Sequence, residues 1–274
     1  MIPTAFLQSW STKAPWPDLR QVEQDLIICR ALCDLFNAQA LAGKIAFRGG
    51  TAIHKLLFKQ PLRYSEDIDL VQAHPEPIGG TVDAIRAALS WLGKCSREQA
   101  GHSMHLVFKF TPEVDAQATL KLKVEINTRE HASLLGVRRF PFAVENDWYH
   151  GTAEIACFEP EELFGTKLRA LLQRRRNRDL FDLHQGLEQL RWLRTRSSHA
   201  STTTWAWRQA DHASDGRAAH AGEVDPKPDR RRRADAAGER ALERCGCASG
   251  IRARLDRADR ANQRGQMEAI RCGH

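Results

Sequence analysis

Two aspartates one residue apart, Asp67 and Asp69, lie in the run Ser65-Glu66-Asp67-Ile68-Asp69-Leu70-Val71, which alternates polar and apolar as a half-buried strand does. Residues two apart on a strand share a face, so both carboxylates project together while Ile68 and Leu70 turn toward the core. Neighbouring carboxylates repel each other unless a cation lies between them, and hard oxygen donors suit Mg2+ or Mn2+. Upstream, Gly49-Gly50-Thr51 stands between a strand-like run and a helical one. Glycines let the backbone approach a ligand closely, and a helix N-terminus presents N–H groups with partial positive charge. Such a turn cradles phosphate, and the Thr51 hydroxyl could add a hydrogen bond. Taken singly, the pair reads as a solvated strand face and the glycines as an ordinary turn. With one helix between them they read as parts of one site for a metal ion and a polyphosphate. A third carboxylate is available on Leu120–Asn127, which alternates strictly and leaves Lys121, Lys123, Glu125 and Asn127 on its polar face. Glu125 joins the aspartates if its strand neighbours theirs; otherwise it is an exposed Glu among lysines. Two metal ions ~3.5–4 Å apart, held by such carboxylates, stabilise the attacking and leaving oxygens of phosphoryl transfer.

These residues need elements to hold them. Val22, Leu26, Cys29, Leu32, Cys33 and Phe36 recur at three and four, which predicts an amphipathic helix over 19–36, with Pro17 and Asp18 as its start. Residues 44–48 form a strand stopped by Gly49-Gly50, and Thr51 opens a second helix carrying Ile53, Leu56, Leu57 and Phe58. Helical spacing recurs over 82–92, and strands are expected over 105–110 and 120–127. Helices follow over 161–174 and 179–190. This order gives an α/β or α+β domain followed by helices.

The chain has 274 residues and a net charge of +7. That charge invites a nucleic-acid reading until its location is noted. Residues 1–190 hold 23 basic and 23 acidic groups, so the whole excess belongs to residues 191–274, with 18 basic and 11 acidic. That tail has 17 Arg but one Lys, no Phe or Tyr, and only seven Val, Ile, Leu and Met. So little apolar material cannot offset chain ordering entropy, so disorder or weak helix is expected. A basic RNA-contacting tail centred on Arg230–Arg233 is one reading. The preferred one is a high-GC gene translated in a shifted frame, given the turn to Arg, Ala, Ser, Gly and Cys. In residues 1–190 only local clusters, Arg138-Arg139 and Arg174-Arg175-Arg176, could meet RNA. No stretch approaches the ~18 apolar residues of a membrane span, and the N-terminus does not read as a secretion signal. Seven scattered cysteines, with Cys29 and Cys33 as buried free thiols, fit a reducing cytoplasm. Cys245-Gly-Cys247 lacks a second ligand pair at a zinc-site spacing.

Four ordered segments carry a more specific resemblance. Phe47-Arg48-Gly49-Gly50-Thr51-Ala52, Arg63-Tyr64-Ser65-Glu66-Asp67-Ile68-Asp69-Leu70, Glu161–Ala170 and Arg178-Asp179-Leu180-Phe181-Asp182-Leu183 together resemble the AbiEii/AbiGii (MenT-like) toxin family. That family lies in the polymerase-β-type nucleotidyltransferase superfamily, and the resemblance spans about residues 20–190. It implies a nucleotidyltransferase fold, with a small mixed sheet flanked by helices and a helical part that here looks truncated. Residues 1–150 would form the nucleotidyltransferase domain, 151–190 a helical segment with the Lys and Arg-Asp motifs, and 191–274 the atypical tail. By the same resemblance, Gly49, Gly50 and Thr51 or Ser65 would hold a nucleoside triphosphate. Asp67 and Asp69 would bind Mg2+ or Mn2+, with Glu125 as the third ligand. Lys167 would neutralise phosphate charge, and Asp182, or else Asp179, would complete the catalytic set, with Arg178 anchoring it. For Arg178 and Asp179 a buried ion pair pinning two helices is the competing reading.

The implied reaction moves a nucleoside monophosphate from an NTP to an acceptor and releases pyrophosphate. Its setting is a cytoplasmic type IV toxin–antitoxin or abortive-infection system, with a cognate antitoxin as partner. Some related toxins modify the acceptor end of tRNA, so tRNA or another RNA is the expected acceptor. Two alternatives compete. One is a nucleotide-binding relic without turnover, and the other an RNA-binding protein acting through its Arg-rich tail.

Overall fold

The computed structural model describes residues 2–174 and 176–190. The tail reading for 191–274 therefore lies outside the described residues. The chain divides into two compact units, and among the described residues the division falls after Thr166.

The first unit opens with helix α1 (Thr4–Trp10) and helix α2 (Leu19–Asn37). Asp18 caps α2, its carboxylate accepting from the Arg20 amide at 2.9 Å, which satisfies one of the orphan donors of the first turn. The expected apolar stripe is present, but α2 is buried well beyond it, with Glu23, Gln24 and Asp25 inside as well. Each has a partner. Glu23 accepts from the Glu113 amide at 2.9 Å, and Gln24 donates to the carbonyls of Glu66 and Lys121 at 3.3 and 3.0 Å.

Strand β1 (Ile45–Arg48) runs directly into helix α3 (Gly49–Leu56), two residues earlier than the Thr51 start expected. Strand β2 (Asp67–Gln72) follows, then helix α4 (Gly79–Ala88). The helical spacing expected over 82–92 thus breaks at Leu89, and a 3-10 turn covers Ser90–Leu92. Strands β3 (Cys95–Ala100), β4 (Ser103–Phe110), β5 (Leu120–Asn127), β6 (Val137–Asn146) and β7 (Tyr149–Phe158) complete a seven-stranded sheet. Its order is β3-β4-β5-β2-β1-β7-β6. The sheet is mixed: β2 and β5 pair in parallel, as do β1 and β7, and the other neighbours are antiparallel. It is larger than the small sheet expected because β3, β6 and β7 carry little apolar signal. β3 is exposed along nearly its whole length, and Pro141 sits mid-strand in β6, tolerable because β6 is an edge strand.

Helix α5 (Pro160–Arg174) begins in the first unit, where Glu162 accepts from Ser133 Oγ and from the amides of Leu134 and Leu135 at 2.6–3.2 Å. The rest of α5 and helix α6 (Asn177–Gln189) belong to the second unit. None of the helices among the described residues is long and apolar enough to cross a membrane.

Candidate active site

The alternation read from the sequence sets the site. On β2, Ile68 and Leu70 are fully buried while Asp67 and Asp69 are half-exposed together on the opposite face. On β5, Leu122, Val124 and Ile126 are buried, and Lys123 and Glu125 face the other way. The parallel register pairs Asp67 with Lys123 and Asp69 with Glu125. The next strand adds His105 opposite Glu125 and Val107 opposite Lys123. One face therefore carries the rows Asp69–Glu125–His105 and Asp67–Lys123–Val107.

The glycine turn meets this face. Gly49 has φ +81°, a conformation that costs an L side chain about 1–2 kcal/mol. A Cβ there would lie 2.8 Å from Asp69 Cγ and overlap its carboxylate. The Asp69 carboxyl thus packs directly over the Gly49 α-carbon, and only glycine allows the approach. Arg48, at the N-cap of α3, supplies no side-chain cap to the helix; its guanidinium instead reaches Glu130 at 2.8 Å.

Thr51 and Ser65 divide their roles. Thr51 is buried, and its hydroxyl lies 2.6 Å from the Asp67 carbonyl and 2.6 Å from Ser65 Oγ. A carbonyl only accepts, so the single Thr51 proton goes there and Ser65 donates to Thr51. Thr51 therefore ties α3 to the start of β2. Of the two hydroxyls weighed as phosphate contacts, Ser65 is the more exposed.

Lys123 dominates the electrostatics of this face. Its ammonium lies 3.0 Å from Glu125 Oε2 and 3.4 Å from Asp67 Oδ2, and His105 Nε2 lies 3.4 Å from the same Glu125 oxygen. Partial burial disfavours the Glu125 carboxylate, but Lys123 and His105 outweigh it and hold Glu125 below the usual carboxylate range. Burial likewise disfavours the Lys123 ammonium, and Asp67, Glu125 and Asp69 overcome it, raising Lys123 above its ordinary value. Among the described residues no three His, Cys, Asp or Glu side chains form a ready metal cage. Magnesium seldom uses one: it binds through one or two carboxylates and completes its shell with water and substrate phosphates. The hard oxygens of Asp67 and Asp69 fit that demand, and Glu125 lies one strand away.

The second unit holds its own ion cluster. Lys167 Nζ lies 3.1 Å from Asp179 Oδ1 and 3.0 Å from Asp182 Oδ2, both fully buried. Arg174 clasps Asp179 through Nε and Nη2 at 2.8 and 2.9 Å. Burial pushes the Asp179 carboxyl up, but Arg174 and Lys167 prevail and leave it below the ordinary aspartate value. Asp179 thus has the ion-paired surroundings of a residue that pins α5 to α6, while Asp182 shares Lys167 with it.

The family model described as nucleotidyl transferase AbiEii toxin, type IV TA system, matches residues 30–256. The chain belongs to the AbiEii family. It is a nucleotidyltransferase toxin of a type IV toxin–antitoxin system, with an NTP as substrate and an antitoxin as partner. No curated protein matches the chain. Among solved structures, JHP933 from Helicobacter pylori is 17% identical with a TM-score of 0.46, over 62% of this chain and 67% of that one. MenT4, a nucleotidyltransferase toxin from Mycobacterium tuberculosis, is 14% identical with a TM-score of 0.46, over 66% of this chain and 63% of its own. An antigenic nucleotidyltransferase-like protein from Paracoccidioides brasiliensis is 20% identical with a TM-score of 0.39, covering 70% of this chain and 91% of its own. Family membership rests on the family model.

Lys123 lies on the polar face expected of its strand, but neither its alternation nor that of His105 assigns a role. The register of β2 against β5 gives Lys123 its place and that of β4 against β5 gives His105 its own, and a single sequence states neither register. The buried pair of Lys55 with Asp25, at 2.6 Å, joins α3 to α2, a packing that the sequence does not state.

Proposed function

We propose that this AbiEii toxin transfers a nucleoside monophosphate from an NTP to an RNA acceptor in the cytoplasm, tRNA being the acceptor the family resemblance suggests. One observation supports the reading above the others: the Asp69 carboxylate packed over the Gly49 turn, with Asp67 on the same face. Triphosphate oxygens approach the backbone N–H groups at the start of α3, beside the Asp69 carboxylate seated over Gly49, where the helix end favours negative charge. Ser65, at the rim, turns its single proton from Thr51 to a phosphate oxygen when the nucleotide enters. A bound Mg2+ or Mn2+, held by Asp67 and Asp69 with Glu125 as third carboxylate, would supply charge neutralisation on the phosphoryl group in transit. The acceptor hydroxyl oxygen forms a bond to the α-phosphorus, the bond from that phosphorus to the β-phosphate bridging oxygen breaks, and pyrophosphate leaves as the hydroxyl proton passes to water. By the family resemblance, Lys167 and Asp182 would take part in turnover, Lys167 as a compact point charge that neutralises phosphate.

The test incubates the full chain with each labelled NTP, Mg2+ and total tRNA. The expected result is label on RNA that disappears with Asp67→Asn. Nucleotide binding without transfer would identify a relic. RNA binding that survives Asp67→Asn but vanishes on deleting 191–274 would identify the tail as the working part. Either result overturns the proposal.

A further inference from the structure

Lys123 stands where a cation is expected. Its ammonium bridges Asp67 and Glu125 across two parallel strands, at 3.4 and 3.0 Å. The register of β2 on β5 fixes it there, since Asp67 is paired with Lys123 and Asp69 with Glu125. Only 19% of its side chain is exposed, so the bridge is partly shielded from water and from salt screening. A divalent ion bound by Asp67 and Glu125 would have to take oxygens that Lys123 already engages.

We propose that Lys123 is a tethered competitor of the divalent ion: it holds the carboxylates of Asp67 and Glu125 together without metal, and gives them up when the ion arrives with its triphosphate. Two consequences follow from charge alone. Without a counter-ion the carboxylates on this face would repel one another, so Lys123 keeps them aligned before substrate enters. Bare metal must displace the ammonium with no new anion to receive it, whereas metal arriving with NTP brings phosphate oxygens to which the freed ammonium can move. Metal binding is thereby made dependent on nucleotide. Lys123 is a positioning residue under this scheme, acting through the two carboxylates. The inference rests on the proposed metal-dependent transferase reading.

The experiment titrates Mn2+ into the full chain, following free ion by electron paramagnetic resonance, without nucleotide. Wild type, Lys123→Gln and Lys121→Gln are compared; Lys121, two residues along the same strand face, is exposed and gives the same change in net charge. The expected result is about tenfold or more tighter Mn2+ binding in Lys123→Gln alone. A second measurement needs no variant: acylation of lysines in the wild-type chain, mapped by peptide mass spectrometry, should show Lys123 protected without metal and exposed at saturating Mn2+. Equal gains in Lys121→Gln and Lys123→Gln would reduce the effect to net charge and overturn the proposal. So would no gain together with Lys123 labelling indifferent to Mn2+. Failure of the underlying reading looks different: Asp67→Asn added to Lys123→Gln would leave Mn2+ binding untouched.

Discussion

Gly49 meets two demands with one missing side chain, a left-handed backbone angle and the seat of the Asp69 carboxylate. Gly49→Ala must therefore strain the turn and displace Asp69 at once. Urea unfolding should show a loss of about 1–3 kcal/mol, and NTP binding should fall further than stability does. At Asp179 the sign of a pH effect is fixed by its partners. Its folded pKa lies below the unfolded value, because Arg174 and Lys167 outweigh burial. The stability it contributes is present above the ordinary aspartate pKa of about 3.9 and is lost as pH falls through the lower folded value. The urea midpoint of Asp179→Asn, compared with wild type, should show a constant deficit above about pH 5 that shrinks as pH drops below about 4. A deficit independent of pH would mean that packing, not ionisation, is what Asp179 supplies.

At the scale of elements, α2 holds the site from behind. Asp25 accepts from Lys55 of α3 at 2.6 Å and from the Trp10 indole at 3.0 Å, with the Cys29 thiol 3.8 Å away. Burial works against the Lys55 ammonium, but the Asp25 carboxylate beside it raises it above its ordinary value; burial also drives the Cys29 thiol up to about 12, where it stays protonated and inert. Asp25→Ala leaves the Lys55 ammonium buried without its carboxylate and should cost about 3–5 kcal/mol, read by urea unfolding and by a shift in Trp10 emission. Much of the working face was legible beforehand. Strict alternation on β2 and β5 put Asp67, Asp69 and Glu125 on polar faces, and Gly49-Gly50 marked the turn between strand and helix. The hidden part was pairing, since alternation names a strand's faces but not its neighbours or register. Lys123 and His105 acquire meaning only once β2, β5 and β4 lie side by side. α2 misled in another way: Glu23, Gln24 and Asp25 resemble a solvated face, yet each is buried on a partner distant in sequence. β6 and β7 escaped notice because Pro141 and scattered polar residues interrupt their alternation.

At the scale of the whole molecule, composition changes at residue 191 while the family match runs on to residue 256. These two observations pull in opposite directions on the inferred frame shift. Resequencing the gene decides it: a corrected frame restoring Leu, Val and Phe beyond 190 is expected, and an intact homologous tail of the same Arg-rich composition would refute it. Expression should arrest growth, with relief on co-expression of the cognate antitoxin. Underneath both lies the claim that the β2 aspartates and the Gly49 turn hold one metal-bound triphosphate. Equilibrium binding of labelled NTP to the full chain, with and without Mg2+, tests it most directly. Binding should require Mg2+ and weaken by at least about tenfold in both Asp69→Asn and Gly49→Val. Undiminished Mg2+-dependent affinity in either variant would contradict it.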